Sequence, residues 1–275
     1  PDGAQDRPLV TFALFAYNQE KYIREAVEGA FAQTYQPLEI ILSDDCSTDR
    51  TFEIMQEMAA VYRGPHTVRL NRSPRNLGIG AHVSSVFAIS SGELVIVAAG
   101  DDISSEDRTS IIVHQASTAS NAYAFCSPVY IIETNQILTV RPPETVDELF
   151  DRMRWLLGAA AAYRNSLFSK FGGFDPELHH EDEALALRAL ILGKIHFIPS
   201  HPLVHFRSTS GVSSPQRRNY DPSLFQMHSR SFFYKYNILA RQWRRDLVFA
   251  NKIYLFERAK RWRVRNTFLL TLSYG

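Results

Sequence analysis

Two adjacent acidic residues, Asp101 and Asp102, follow the apolar run ELVIVA (93–98) and Gly100. That order sets two like charges side by side at the end of a strand, where their repulsion needs an answer. A divalent cation supplies one: oxygen ligands suit Mg2+ or Mn2+, and loop carboxylates with open coordination positions suit an ion that also grips a diphosphate. The competing reading is a helix cap, with a helix starting at Ser104 or Ser105. A second pair, Asp44 and Asp45, closes LEIILS (38–43) and precedes Ser47, Thr48 and Asp49. One of these aspartates could accept a hydrogen bond from a ring N–H such as that of a pyrimidine; alternatively Ser47 or Asp49 simply caps the next helix. Tyr17 and Asn18 follow LVTFALFA (9–16), and Asn76 lies in RSPRNLGIG (72–80). Gly78-x-Gly80 lacks the third glycine of a dinucleotide loop, and no G-x-S-x-G, H-E-x-x-H or Walker pattern occurs.

These residues need elements to carry them. LVTFALFA and LEIILS are apolar enough to be strands buried on both faces, with TVRLN (67–71) and ELVIVA as the third and fourth. Tyr22, Ile23, Ala26, Val27, Ala30 and Phe31 recur at helical spacing after the first strand, with Asn18 as the expected N-cap. Phe52, Met55, Met58, Ala59 and Tyr62 stripe a second helix, and a third falls near 80–90. Strand–helix alternation of this kind predicts an α/β fold, a parallel sheet with helices on both faces. Ligands of such sheets sit outside the carboxyl ends of the strands, and the polar residues above all fall there. Beyond residue 120 the alternation weakens. YAFCSPVYII (123–132) reads as one strand, 165–175 as a helix closed by Gly172 and Gly173, and 181–193 as a buried helix. KIHFIP and LVHF read as strands, and two further helices are expected beyond Pro215, one marked by Phe232 to Ala240 and one by Leu247 to Trp262.

The chain has 275 residues, 45% of them hydrophobic and 21% charged, which excludes a disordered or low-complexity protein. Cys46 and Cys126 lie far apart without a C-x-x-C, which argues against a disulfide framework or a cysteine-rich zinc site. A reducing, cytoplasmic compartment is expected, since no apolar run is long enough to span a bilayer and the first residues lack a signal pattern. The net charge of +1 conceals an asymmetry. Residues 205–275 carry 14 Lys/Arg against three acids (+11), and the first 204 residues carry 16 against 26 (−10). In the tail, aromatic residues from Trp243 to Phe268 interleave with basic ones. Such a segment either lies on anionic lipid, giving peripheral contact at the inner face of the membrane, or packs against the body or a second copy. No nucleic-acid module is present, and no nucleic-acid partner is expected.

Taken together, the residues resemble a known family. The motifs are Tyr17-Asn18 after the first strand, Gln33-Thr34-Tyr35 before the second, Asp44-Asp45-x-Ser47-x-Asp49 after it, Asn76-x-Gly78 in the third loop and Asp101-Asp102 after the fourth. In this order they resemble the nucleotide-binding half of family-2 glycosyltransferases, which have the GT-A fold, a Rossmann-like α/β architecture. GAAAAYRNSLFSKFGGFD (158–175) and HHEDEALALRALILGKIHFIP (179–199) resemble the acceptor half. The resemblance covers about 9–210. It implies an N-terminal tail (1–8), a GT-A domain (9–215) divided into nucleotide-sugar (9–120) and acceptor (121–215) halves, and a basic helical extension (216–275). It further implies an inverting, metal-dependent transferase of surface polysaccharide assembly, with a UDP-sugar as the favoured donor and a glycan or lipid-linked acceptor. Ala16, Tyr17, Asn18, Asp44, Asp45, Asn76 and Asp101 would line the donor pocket, and Asp101 and Asp102 would hold Mn2+ or Mg2+. Asp182 would be the general base supported by Glu181, unless it is only a first-turn carboxylate favoured by the helix dipole. Trp155 would stack on the acceptor or fill the core; His180 would contact the acceptor or be an ordinary loop histidine. Two departures stand out. Ala99 replaces the first aspartate of the family's D-x-D, and Thr209 replaces a histidine, leaving His205 or His201 as a substitute metal or phosphate ligand. Ala99 also motivates a non-catalytic sugar- or nucleotide-binding protein on the same fold. An aspartate-nucleophile phosphohydrolase, suggested by LEIILSDD, lacks the acid it needs two residues after Asp44.

Overall fold

The computed structural model describes residues 7–152, 157–208 and 225–250. Its first half alternates as β1 (Val10–Ala16), α1 (Ile23–Phe31), β2 (Leu38–Asp44), α2 (Thr51–Val61), β3 (Thr67–Arg72), α3 (Ile79–Ile89) and β4 (Leu94–Ala99). The second half adds β5 (Ile103–Ser104), α4 (Arg108–Thr118), β6 (Ala122–Cys126), β7 (Val129–Ile131), β8 (Gln136–Leu138) and α5 (Val146–Arg152). A 3-10 turn (Gly158–Ala160) then leads into β9 (Ala161–Arg164), α6 (Ser166–Phe171), α7 (Glu181–Leu192), β10 (Lys194–Phe197), β11 (Val204–Phe206) and α8 (Phe225–Phe249).

Seven strands form the central sheet in the order β10-β6-β9-β4-β1-β2-β3. Its ladders are parallel except where β9 runs antiparallel between β4 and β6. A smaller sheet, β5-β11-β7-β8, lies beside it. Because β1 has β2 on one side and β4 on the other, the strand order reverses there, and the carboxyl ends at such a reversal are where sheets of this kind bind ligands. The register brings Ala16 level with Asp44 and Asp44 level with Arg72, while Phe15 pairs with Ala99.

Side chains of β1 explain why the run is apolar except for Thr11. Phe12, Leu14 and Ala16 enter one core with Ile23, Val27 and Met55; Ala13 and Phe15 enter the other with Val83, Phe87, Leu185 and Leu239. Each fully buried side chain of this size contributes about 1.5–3 kcal/mol, so both faces must be apolar. At the sheet's outer edge, Arg69 of β3 donates to Glu39 Oε2 at 2.6 Å, and Thr11 Oγ1 donates to Glu39 Oε1 at 2.8 Å. The opposite edge strand, β10, opens on Lys194.

Several elements differ from the sequence expectations. The expected strand at 123–132 divides into β6 and β7, which belong to different sheets; Pro128 between them has no N–H for a ladder. Asn18 caps no helix: it sits in the left-handed region (φ 53°), and α1 begins five residues later. The helix expected at Ser104 or Ser105 begins at Arg108, and β5 occupies the interval. The tail was expected to form two helices, yet α8 runs unbroken through Ala240 and Leu247; residues 251–275 lie outside the described residues.

The described part of α8 packs on the body. Ile238, Leu239, Trp243 and Leu247 are buried, and Asp246 receives the Arg188 guanidinium of α7 at 2.8 Å, with both side chains enclosed. Arg188 also donates to Gly172 O and lies over the rings of Phe168, Phe171 and Phe174. Among the described residues no helix is long and apolar enough to cross a membrane. Removing one partner of a buried ion pair strands the other charge, so Asp246→Ala should cost about 3–5 kcal/mol in denaturant unfolding.

Candidate active site

Three loops at the carboxyl edge are laced together by their own polar side chains. Asn18 Oδ1 accepts from Thr48 N at 2.8 Å, and Asn18 N donates to Ser47 Oγ at 2.8 Å. Asp49 accepts from Thr51 Oγ1, Thr51 N and Glu20 N, which outweigh its burial and hold its carboxyl below the usual range; the N-cap position of α2 falls to Arg50 and not to Ser47 or Asp49. Asp44, fully buried, accepts from Ser47 N and Oγ and faces Arg72 Nε at 3.3 Å. With both oxygens engaged and no exposure, it is not placed as a nucleophile. Asp45 accepts from Leu77 N and Gly78 N, each at 2.9 Å, and Asn76 Oδ1 accepts from the same Gly78 N–H. Beneath the pair, buried His82 shares a 2.6 Å hydrogen bond with Ser43 Oγ. Burial lowers its pKa, partly offset by the charges of Asp45 and Asp44, and nothing in the sequence marks it. Tyr17 is exposed at the rim, while Ala16 is enclosed.

Gly100 brings the tip of β4 against β1. A Cβ there would stand 2.8 Å from the Ala16 Cβ, so only glycine lets the Asp101–Asp102 loop approach the strand end. Both aspartates are 5% exposed. Asp102 Oδ1 accepts from Arg207 N at 2.8 Å, and its Oδ2 is buried with no hydrogen-bond partner. Burial and then the charge of Asp101 push the Asp102 carboxyl up to about 8, against the pull of the Arg207 N–H and the charges of Arg108 and Arg207. An enclosed carboxylate pair with an unengaged oxygen fits a hard divalent cation. The helix-cap alternative fails here, because β5 separates the pair from α4.

His205 is not gathered with these aspartates. It lies exposed on β11, opposite Ile103, with its ring 5.1 Å from that of Tyr130. Among the described residues no group of three His, Cys, Asp or Glu side chains is placed to hold a metal, so the candidate ligands are Asp101 and Asp102. His201 stands 3.2 Å from Asp107 at the start of α4. Trp155 and Thr209 lie outside the described residues.

Two arginines that the sequence reading missed organise this corner. Arg108 is fully buried and donates to Ser104 Oγ, Val97 O, Ala159 O and Ala161 O. It therefore ties the 158–161 segment to β4. Arg207 donates to Asp101 O at 2.7 Å and to Glu25 Oε2 at 2.7 Å, over the Tyr22 ring. In the sequence Arg108 opens a helix of mixed polarity, RTSIIVHQAST, and nothing there sets it apart from a solvated arginine.

The second acidic group meets the same segment at Gly158. A Cβ on Gly158 would lie 3.5 Å from Glu181 Oε1 and 3.6 Å from Asp182 Cβ, so the 3-10 turn rests on the first turn of α7. Gly80 N donates to Leu178 O, and a Cβ on Gly80 would come within 2.4 Å of that oxygen, which locks the start of α3 against the approach to α7. Asp182 accepts from Glu183 N at 2.8 Å. Burial raises all three carboxyls of this turn: Asp182 to about 6, Glu183 to about 8 with the charge of Asp182 adding, and Glu181 well above its ordinary value with Asp182 and Glu183 adding. Of the three, Asp182 is raised least and is the first to give up its proton, an arrangement that sets it apart from its neighbours. Tyr163 is enclosed beneath them, its pKa raised by burial and then by Asp182 and Glu181. His180, the N-cap residue of α7, is half-buried, and burial followed by Lys235 and His179 pushes it down to about 4, so its imidazole is neutral.

This architecture is that of the GT-A glycosyltransferases. Residues 11–171 match the family model Glycosyl transferase family 2, and the chain belongs to that family. Among solved structures it is similar to Staphylococcus aureus TarS 1–349 (TM-score 0.66, 18% identity, 91% of this chain and 70% of that one). It is also similar to a Pyrobaculum calidifontis mannosyltransferase in complex with GDP-Man and Mn2+ (TM-score 0.62, 16% identity, 98% and 77%). By sequence it is 28% identical to an uncharacterized glycosyltransferase of Haemophilus influenzae over 214 residues, 75% of this chain and 81% of that one. It is 32% identical to the succinoglycan biosynthesis protein ExoO of Rhizobium meliloti over 119 residues, 43% and 33%. An uncharacterized Mycobacterium tuberculosis protein is 43% identical over 88 residues, 32% of this chain and only 25% of its own length.

Asp45→Ala removes two backbone-to-carboxylate hydrogen bonds and leaves the half-buried Leu77 N–H without its acceptor, while the Gly78 N–H keeps Asn76 Oδ1. A loss of about 2–3 kcal/mol in denaturant unfolding is expected, with the sheet's circular dichroism unchanged.

Proposed function

We propose that the chain is an inverting glycosyltransferase that moves a sugar from a nucleotide-diphosphate donor to a hydroxyl of a glycan or lipid-linked acceptor in surface polysaccharide assembly. The observation that carries this reading is the 158–161 segment, held to β4 through Arg108 and resting at Gly158 on Glu181 and Asp182, with the enclosed Asp101–Asp102 pair directly following β4 in the chain. Donor binding would use the loops after β1, β2 and β3, with Tyr17 and Asn76 at the rim. TarS, also solved with UDP and with UDP-GlcNAc, and the mannosyltransferase with GDP-Man support a sugar nucleotide, with UDP as the favoured carrier. The succinoglycan protein supports the polysaccharide setting.

Asp101 and Asp102 would hold Mn2+ or Mg2+, which when bound neutralises charge gathering on the departing diphosphate. Asp182 would take the proton of the acceptor hydroxyl as its oxygen forms a bond to the anomeric carbon. The electron pair of the breaking C–O bond leaves with the diphosphate from the opposite face, so the anomeric configuration inverts. Glu181 and Glu183, holding their protons, would keep a second negative charge away from the base. Neutral His180 at the mouth of α7 would offer the acceptor a hydrogen-bonding ring.

The deciding experiment is a donor screen with Mn2+, followed by turnover with Asp182→Asn. The variant should keep donor affinity within about twofold while kcat falls about 10²–10⁴-fold. Since the ionised base is the active form, wild-type kcat should rise with pH through about 6 and fall away below it. Unchanged turnover in Asp182→Asn would overturn the assignment of the base. Metal-dependent donor binding without transfer or donor hydrolysis in the wild type would favour a binding protein instead.

A further inference from the structure

The approach to α7 has no regular structure of its own. Between the left-handed Gly172 (φ 73°) and His180, the chain is anchored to α3 by Phe174 N to Ser84 Oγ and Gly80 N to Leu178 O, and buries Phe174 and Leu178. Around Asp175 and Glu177 the holding groups come from α8. Gln242 Oε1 accepts from Asp175 N at 2.8 Å. Arg241 spreads its guanidinium over two carboxylates, Nε to Asp175 Oδ2 at 2.7 Å and Nη2 to Glu177 Oε2 at 3.2 Å. Tyr234 donates to Glu177 Oε1 at 2.5 Å, and Arg245 reaches Gly173 O. Gln242 Nε2 also donates to Asp246 Oδ1, and Asp246 holds Arg188 in the middle of α7. One helix therefore grips both the body of α7 and the loop that delivers its first turn.

We propose that α8 is the positioning element of the acidic first turn of α7, with Arg241 and Gln242 as positioning residues that fix where Asp182 stands relative to Asp101 and Asp102. The inference rests on the reading of Asp182 as the base. Stability alone does not account for Arg241: its side chain is 58% exposed, and ion pairs at that exposure contribute about 0–1 kcal/mol. What the planar fork does supply is direction, since it engages two carboxylates two residues apart on one loop and leaves that loop a single arrangement. Reacting groups tolerate little displacement: a shift of about 1 Å costs about 10²-fold in rate.

Two measurements on the full chain test this. Hydrogen–deuterium exchange, which needs no substrate, should show faster exchange across 173–184 in Arg241→Ala and in Gln242→Ala, with β1, β2 and β4 unchanged. Unaltered exchange at 173–184 in both variants overturns the proposal whether or not the chain is a transferase. Nucleoside diphosphate release is then followed with whichever UDP- or GDP-sugar the wild type turns over. Arg241→Ala should lower kcat about tenfold or more with donor KM within twofold, and Arg241→Lys, which keeps the charge but loses the fork, should fall between. Activity lost only in proportion to folded protein, or a rise in donor KM at constant kcat, would refute the positioning role. A wild type inactive with every donor would count against the transferase reading alone, and the exchange data would still decide the clamp.

Discussion

Carboxylates brought to one poorly solvated edge of a sheet repel one another, and the chain meets that repulsion differently at each of them. Asp44 is neutralised by Arg72 and a serine; Asp45 is spread over two backbone N–H groups. Asp102 has the Arg207 N–H on one oxygen and the buried charge of Arg108 nearby. In the first turn of α7 no Lys or Arg among the described residues is paired with the carboxylates, and burial raises all three. A helix N-terminus favours anions, yet desolvation outweighs that pull for groups this enclosed. The outcome is carboxylates in three electrical conditions: paired with a cation, spread over backbone N–H groups, and raised by burial.

Much of the donor half could be read from the sequence because a strand buried on both faces has few alternatives. LVTFALFA and LEIILS allow no amphipathic helix, and the polar residues that end them fall at the carboxyl edge by topology. The expectations that failed were local and depended on what lay across space. Asn18 looks like a helix cap until Thr48 is seen to compete for its side chain. YAFCSPVYII reads as one strand because periodicity carries no information about which sheet each half joins. β9, the antiparallel strand Ala161–Arg164, escaped because a run of alanines suits a strand only when it is squeezed between two others.

Arg108 and Arg188 show the same limit from the other side. Each is completely enclosed, and each joins segments far apart in the chain: Arg108 the tip of β4 to the 158–161 turn, Arg188 the two C-terminal helices. In the sequence both are single basic residues within helices, indistinguishable from solvated ones. Their burden is geometric as much as energetic, because a guanidinium with many donors fixes several carbonyls at once.

The outermost strand β3 turns charge to a different use. A sheet edge presents unpaired backbone groups that invite another strand, and such an edge is a route to fibre-like association. Here β3 carries two cations, Arg69 paired with Glu39 and Arg72 lying over Phe52 and paired with Asp44, and charge on an edge strand is one of the features that disfavour such pairing. The side chain that pairs with Asp44 therefore also contributes to an edge unwelcoming to a foreign strand, and a change made there to tune one would disturb the other.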